Sequence, residues 1–249
     1  MRSFFKTLPA LLLLQPAFAQ EADTSFPIWK GAAELGSVWT TGNTNTSSVN
    51  GQFDVSRKGE DWKTKLKITA LVSKEEDEDT KRDVTSKEKY TGLLQLNRNY
   101  SERTYLAIVG QQDRDRFSGF DYQGTVSAGL GYHAIADENM TLDLEAGPGY
   151  SRERESATDT DSENINEEAV ARLVANFSWK IREGVEFIEE FSAVIGSDNS
   201  IYRSETGLKS QINGSLATKI TYKTKYVTDV PVDSEKRDGE FGVTLVYSF

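Results

Sequence analysis

The residues of this chain that can do chemistry are its carboxylates, its lysines and one histidine, because it has no cysteine. Without a thiol, disulfides and thiolate metal sites are excluded. A hydrolytic histidine needs a nucleophile or water in reach and a carboxylate to orient it. His133 stands six residues from Ser127, roughly 20 Å along an extended strand, so the two form no dyad. Asp143 and Glu145 leave one strand on the same side and are spaced for an acid/base pair. Such pairs are more often structural charges, and His133 reads as a packing or interface residue. Two acidic runs, Glu75-Glu76-Asp77-Glu78-Asp79 and the set Glu153, Glu155, Asp159, Asp161 and Glu163, offer hard oxygen ligands. They lack glycine and any EF-hand spacing, so they read as solvated loops. The expectation is no catalytic residue, no metal, no cofactor and no enzyme.

The elements that position these groups show in the last nine residues. Phe241, Val243, Leu245, Tyr247 and Phe249 alternate with Gly242, Thr244, Val246 and Ser248. A period of two means a strand with one fully apolar face. An aromatic-ended closing strand of this kind resembles the assembly signal of bacterial outer-membrane barrels. At the other end, Arg2 and Lys6 precede an apolar run from Leu8 to Leu14, then Ala17-Phe18-Ala19. This is the layout of a secretory signal peptide, residues 1–19, cut between Ala19 and Gln20. The apolar run is too short for a membrane helix, which needs about 20 residues. Losing Arg2 and Lys6 takes the formal charge from −10 to −12. That balance offers no basic footprint for nucleic acid.

Alternating segments recur about twelve times: 29–39, 47–57, 62–72, 88–98, 104–112, 120–133, 139–152, 168–179, 185–195, 201–212, 216–228 and 239–249. Short connections alternate with longer polar ones, among them 73–87 and 153–167. Short periplasmic turns and long external loops are the arrangement of a transmembrane barrel. The predicted fold is all-β: a transmembrane antiparallel up-and-down β-barrel of about twelve strands, formed by residues 20–249, with both termini periplasmic. Aromatics fall at both predicted interfaces. Trp29, Trp62, Tyr105, Tyr132, Trp179 and Tyr247 lie at one end, and Trp39, Tyr90, Tyr122, Tyr150, Tyr202, Tyr226 and Phe241 at the other. Trp29 to Trp39 and Tyr122 to Tyr132 are ten residues apart, about 33 Å of strand. At a tilt of about 40° this spans roughly 25 Å, the height of the apolar band. A soluble barrel would alternate in the same way with its apolar face inward. The paired aromatic rows, the terminal Phe249 and the size of the polar face oppose it.

Aromatics in lipid turn the other face inward. The residues expected to line the lumen are Lys63, Lys65, Lys67, Lys89, Asp143, Glu145, Arg172, Glu186, Glu190, Lys209, Lys219 and Lys223. Eight strands leave a filled interior and sixteen an aqueous channel. Twelve leaves two readings open, a narrow channel for ions or small solutes and a sealed barrel packed with paired charges.

The segment Gly36-Ser37-Val38-Trp39-Thr40-Thr41-Gly42-Asn43-Thr44-Asn45-Thr46 is followed by a strand ending at Arg57. With Gly129–Tyr132, Gly147-Pro148-Gly149-Tyr150 and the closing strand, it resembles the YdiY-like family, named salt-induced outer-membrane proteins and a domain family of unknown function. The order of these short motifs carries the resemblance over nearly the whole of residues 20–249. It implies an outer-membrane barrel linked by name to salt or envelope stress, and no catalytic residues. The partners expected are membrane lipid, lipopolysaccharide and the barrel-assembly machinery.

Overall fold

A computed structural model describes residues 28–40, 46–76, 82–156, 164–231 and 234–249; for 38–40, 46 and 76 it describes the backbone only. The expected leader and cleavage site, and Thr41–Asn45 of the Thr-Gly-Asn motif, lie outside the described residues. Twelve strands follow in order: β1 (Ile28–Thr40), β2 (Thr46–Lys58), β3 (Trp62–Glu76), β4 (Asp83–Asn99), β5 (Thr104–Asp115), β6 (Phe120–Ala136), β7 (Met140–Glu155), β8 (Ile165–Arg182), β9 (Val185–Ile195), β10 (Ser200–Gln211), β11 (Leu216–Val227) and β12 (Arg237–Ser248). Each pairs antiparallel with the next, and β12 returns to β1, so the sheet is a closed up-and-down barrel. The closing seam is the shortest ladder, Ala32–Gly36 against Thr244–Ser248. Phe249 extends it by exchanging backbone hydrogen bonds with Gly31, at 2.8 and 2.9 Å.

Alternation sets the two faces. Leu35, Phe53, Ile68, Leu94, Val126, Leu130, Leu208 and Phe241 point outward and are exposed. Their neighbours of opposite parity, among them Glu34, Lys67, Glu145 and Glu205, point into the lumen and bond there. Apolar residues outside and charges inside invert the order of a water-soluble protein, and fit a barrel whose outer solvent is hydrocarbon. Closure is what allows this, since a closed ladder leaves no sheet edge unpaired in lipid. A polar cluster interrupts the outer face. Glu189 on β9 points outward between Phe187 and Phe191, and accepts hydrogen bonds from Ser204 and Thr206 on β10, at 2.7 and 2.6 Å.

Two expectations are corrected. The segments 73–87 and 153–167 are not wholly loops: β3 runs to Glu76, β4 begins at Asp83, β7 runs to Glu155 and β8 begins at Ile165. Beyond the apolar band the side chains on both faces are polar, so the two-residue hydrophobic signal vanishes while backbone pairing continues. Asp77–Asp79, Asp159, Asp161 and Glu163 fall outside the described residues. Tyr105 is not a lipid-facing ring. It points inward and is 2 % exposed. Leu106, Ala107, Ile108 and Val109 make both faces of β5 apolar, which hides the register from the sequence. Gly131, directly opposite Tyr105, makes the inward pose possible, because a Cβ there would overlap the ring.

Val126 lies between Tyr122 and Tyr132 on the outer face. Val126→Arg should destabilise the barrel in phospholipid by roughly 2–4 kcal/mol, the cost of a midplane arginine. Urea unfolding in vesicles measures it, and a loss below about 0.5 kcal/mol would contradict the outward register.

A candidate functional site in the charged lumen

Inward side chains of twelve strands converge on a narrow space, so their charges meet. Three layers result. At the end carrying the short turns, Glu145 on β7 accepts from Tyr105 at 2.9 Å, Gln95 at 2.7 Å and Arg172 at 3.0 Å. Beside it, His133 Nδ1 and Asp143 Oδ1 are 2.6 Å apart. The His133 ring lies 4.9 Å from that of Tyr105. The β6–β7 register sets this pair, placing His133 directly opposite Asp143. Asp143 therefore holds the histidine rather than working with Glu145 as an acid/base pair. Among the described residues, this is the only side-chain hydrogen bond His133 makes.

The middle layer crosses the lumen. Lys67 on β3 reaches Glu190 on β9 at 3.0 Å and Glu205 on β10 at 3.5 Å. β3 and β9 are six strands apart in a ring of twelve, on opposite walls. Lys219 on β11 bonds Glu205 at 2.8 Å and Glu34 on β1 at 3.3 Å. Lys223 approaches Glu205 at 3.6 Å.

The third layer faces the long connections. Arg203 on β10 pairs with Asp113 on β5, which also accepts from Thr91 at 2.7 Å. Lys89 bridges Asp115 and Asp238, at 3.1 and 3.2 Å. Lys225 donates to Gln123 at 2.6 Å, and Gln123 and Asn199 donate to Glu153 at 3.0 and 2.8 Å. A cavity of about 260 Å³ lies among these layers, lined by Lys67, Lys89, Glu190, Arg203 and Glu205.

At the rim, above Tyr150, two carboxylates respond oppositely to their surroundings. Burial pushes Glu153 above the usual Glu value, against the amides of Asn199 and Gln123. Partial burial works the same way on Glu168, but the backbone N–H groups of Asp198 and Asn199, each at 3.0 Å, outweigh it and hold its carboxyl below the usual value. Glu168 thereby clamps the β9–β10 connection. Gly196 gives it room, since a Cβ there would overlap the carboxylate.

Nine of the twelve residues expected to line the lumen make a side-chain bond there. They are Lys67, Lys89, Asp143, Glu145, Arg172, Glu190, Lys219 and Lys223, as above, and Glu186, which accepts from Ser178 at 2.6 Å. Lys63, Lys65 and Lys209 share the inward parity and have no side-chain hydrogen bond or ion pair among the described residues. Sequence reasoning missed Glu34, Asp113, Asp115 and Asp238. Asp113, Asp115 and Asp238 fell in segments read as loops, although Asp113 and Asp115 keep the parity of Gln111. On the outside, Trp29, Trp62, Tyr90, Tyr132, Tyr150, Trp179 and Tyr226 are exposed, while Tyr122 and Tyr202 are half-buried. The Arg57 and Arg98 guanidiniums lie 5.8 Å from the rings of Trp29 and Trp62. Trp39 stands opposite Ser47, and its side chain is outside the description.

A closed antiparallel barrel, apolar outside and ion-paired within, has the architecture of a transmembrane β-barrel. The chain belongs to the family described as "Protein of unknown function, DUF481", whose model matches residues 33–249. It is similar to the "Uncharacterized protein YdiY" of Escherichia coli (strain K12), with 23% identity over 261 residues, 98% of each chain. Its fold is similar to the translocator domain of autotransporter NalP from Neisseria meningitidis. That match has 10% identity and a TM-score of 0.50, covering 91% of this chain and 90% of the other.

Lys219 is the most enclosed cation of the lattice, its side chain 7% exposed. Lys219→Met takes from Glu34 its ion-pair partner and from Glu205 the nearest of its three lysines, and should cost about 3–5 kcal/mol, while adding Glu34→Gln recovers part of the loss. Equal stability of wild type and Lys219→Met in urea would refute the pairing. The Glu168 clamp has a pH signature. A carboxylate held below its ordinary value contributes at and above that value, about 4.5, and the contribution is lost as pH falls below it. Amide protection of Asp198 and Asn199 should therefore fall on acidification in wild type and be low at all pH values in Glu168→Gln. Equal protection in the two proteins at pH 7 would remove the clamp.

Proposed function

We propose that this protein is a non-enzymatic outer-membrane β-barrel of a bacterial envelope, whose lumen is held shut by ion pairs and whose role is structural or surface-binding. The observation that carries it is Lys67, which links β3 to Glu190 on the opposite wall at 3.0 Å. Arg203–Asp113 and Lys89–Asp238 add further transverse links. An open diffusion pore keeps its charges along the wall, where they set selectivity. Here they reach across the lumen. Two features support the envelope assignment. The exposed apolar faces of the strands need lipid, and the alternation of Phe241, Val243, Leu245, Tyr247 and Phe249 suits recognition by barrel-assembly machinery. On this reading the leader is cut between Ala19 and Gln20, residues 20–249 form the barrel, and the short turns and both termini face the periplasm. The long connections then meet lipopolysaccharide, cations or a partner at the cell surface. His133 is bonded to Asp143, and among the described residues no hydroxyl bonds its ring.

The cavity of about 260 Å³ favours a second reading, a narrow channel that conducts ions or small solutes when the transverse pairs part. Any service in salt or envelope stress would fit either reading.

Planar-bilayer recording of the refolded barrel separates them. The wild type should show no resolvable current steps, and Lys67→Ala/Arg203→Ala should show them. Steady steps from the wild type would overturn the closed-lumen reading.

A further inference from the structure

Four inward lysines, gathered on one wall, stand outside the three ion-paired layers. At the short-turn mouth, Lys58 on β2 stands directly opposite Lys63 on β3. One row further in, Ser56 stands between Lys65 on β3 and Lys30 on β1. All four lysines share the parity of Gln52, Lys67 and Glu34, so they face the mouth, while Trp29, Arg57 and Trp62 take the outer face. None of the four has an ion pair among the described residues. Each nearby inward carboxylate is engaged elsewhere. Asp54 accepts from Gln52 at 2.7 Å, and Asp143 is held by His133 at 2.6 Å. Glu60 and Asp61, in the adjoining turn, are exposed and bridge to none of these lysines. The opposite wall of the same mouth is built differently. There Lys180 and Lys209 each stand opposite Glu186.

Like charges directly opposed across two strands destabilise a sheet. A chain that carries an excess of ten negative charges has nonetheless gathered four unpaired lysines on one wall. An anion seated among them removes the repulsion and replaces the missing carboxylates. The two rows are two residues apart, roughly 7 Å along the strands. A single monovalent ion cannot bridge that interval, whereas a short chain of linked anionic groups can. Lysine suits such a ligand because its ammonium is a mobile point charge with three donors.

We propose that Lys30, Lys58, Lys63 and Lys65 form a binding site, at the mouth where β1 begins and β12 ends, for a small polyanion carrying linked phosphate or carboxylate groups. The site stands whether the lumen beyond it is closed or conducting, and on the orientation given above its ligand arrives from the periplasm.

Isothermal titration of the refolded, detergent-solubilised barrel with sodium tripolyphosphate, and separately with citrate, tests this. Saturable binding of either anion that weakens with added salt is expected, and whichever binds more tightly identifies the source of the anionic groups. Lys63→Gln/Lys65→Gln should weaken binding at least tenfold while retaining the heat-modifiable gel mobility of a folded barrel. Lys65→Gln alone serves if the double variant does not fold. Lys209→Gln, on the opposite wall, should leave the affinity unchanged. No binding of either anion, unaltered binding by the Lys63 and Lys65 variants, or an equal loss in Lys209→Gln would overturn the proposal.

Discussion

Closure of the backbone ladder is the constraint on which the rest of this structure depends. In hydrocarbon an unpaired N–H or C=O costs several kcal/mol, so the twelve strands must return on themselves, β12 against β1. Once the sheet is closed, each residue has only two directions, outward into lipid or inward to a confined lumen. Leu35, Val126 and Leu208 take the first. Glu34, Lys67 and Glu205 take the second, where each meets a partner of opposite charge from another strand. The transverse ion pairs are thus a consequence of closure at this strand number: twelve strands make a lumen that lysine and glutamate side chains from opposite walls can span.

That confinement also sets the energetics of the interior. Buried pairs gain little over apolar packing, yet breaking one is costly because a charge is left behind. Glu205, shared by Lys67, Lys219 and Lys223, and Glu145, shared by Tyr105, Gln95 and Arg172, are the hubs where removal of one side chain unsettles several. The four lysines at the short-turn mouth lie outside this network, gathered on one wall with no ion pair among the described residues.

Most of the fold was legible because its period is two and its apolar residues are segregated to one face. The strand positions in the apolar band follow directly from that. What stayed hidden had a physical cause in each case. The extensions of β3, β4, β7 and β8 carry polar residues on both faces, so they pair without an apolar signal. Tyr105 sits in a strand apolar on both faces, and its inward pose depends on Gly131 of the neighbouring strand. The inward parity of Lys67 could be read from the chain, but its partner could not. Glu190 lies 123 residues away, and only closure of the barrel brings the two together.

The central claim is that charges on opposite walls meet across the lumen, and a double-mutant cycle on Lys67 and Glu190 tests it most directly. Unfolding free energies of Lys67→Met, Glu190→Gln and the double variant in lipid vesicles should yield a coupling of about 1 kcal/mol or more, within the range for residues in contact. A coupling indistinguishable from zero, with each single variant costing the same in either background, would mean that the two walls do not meet.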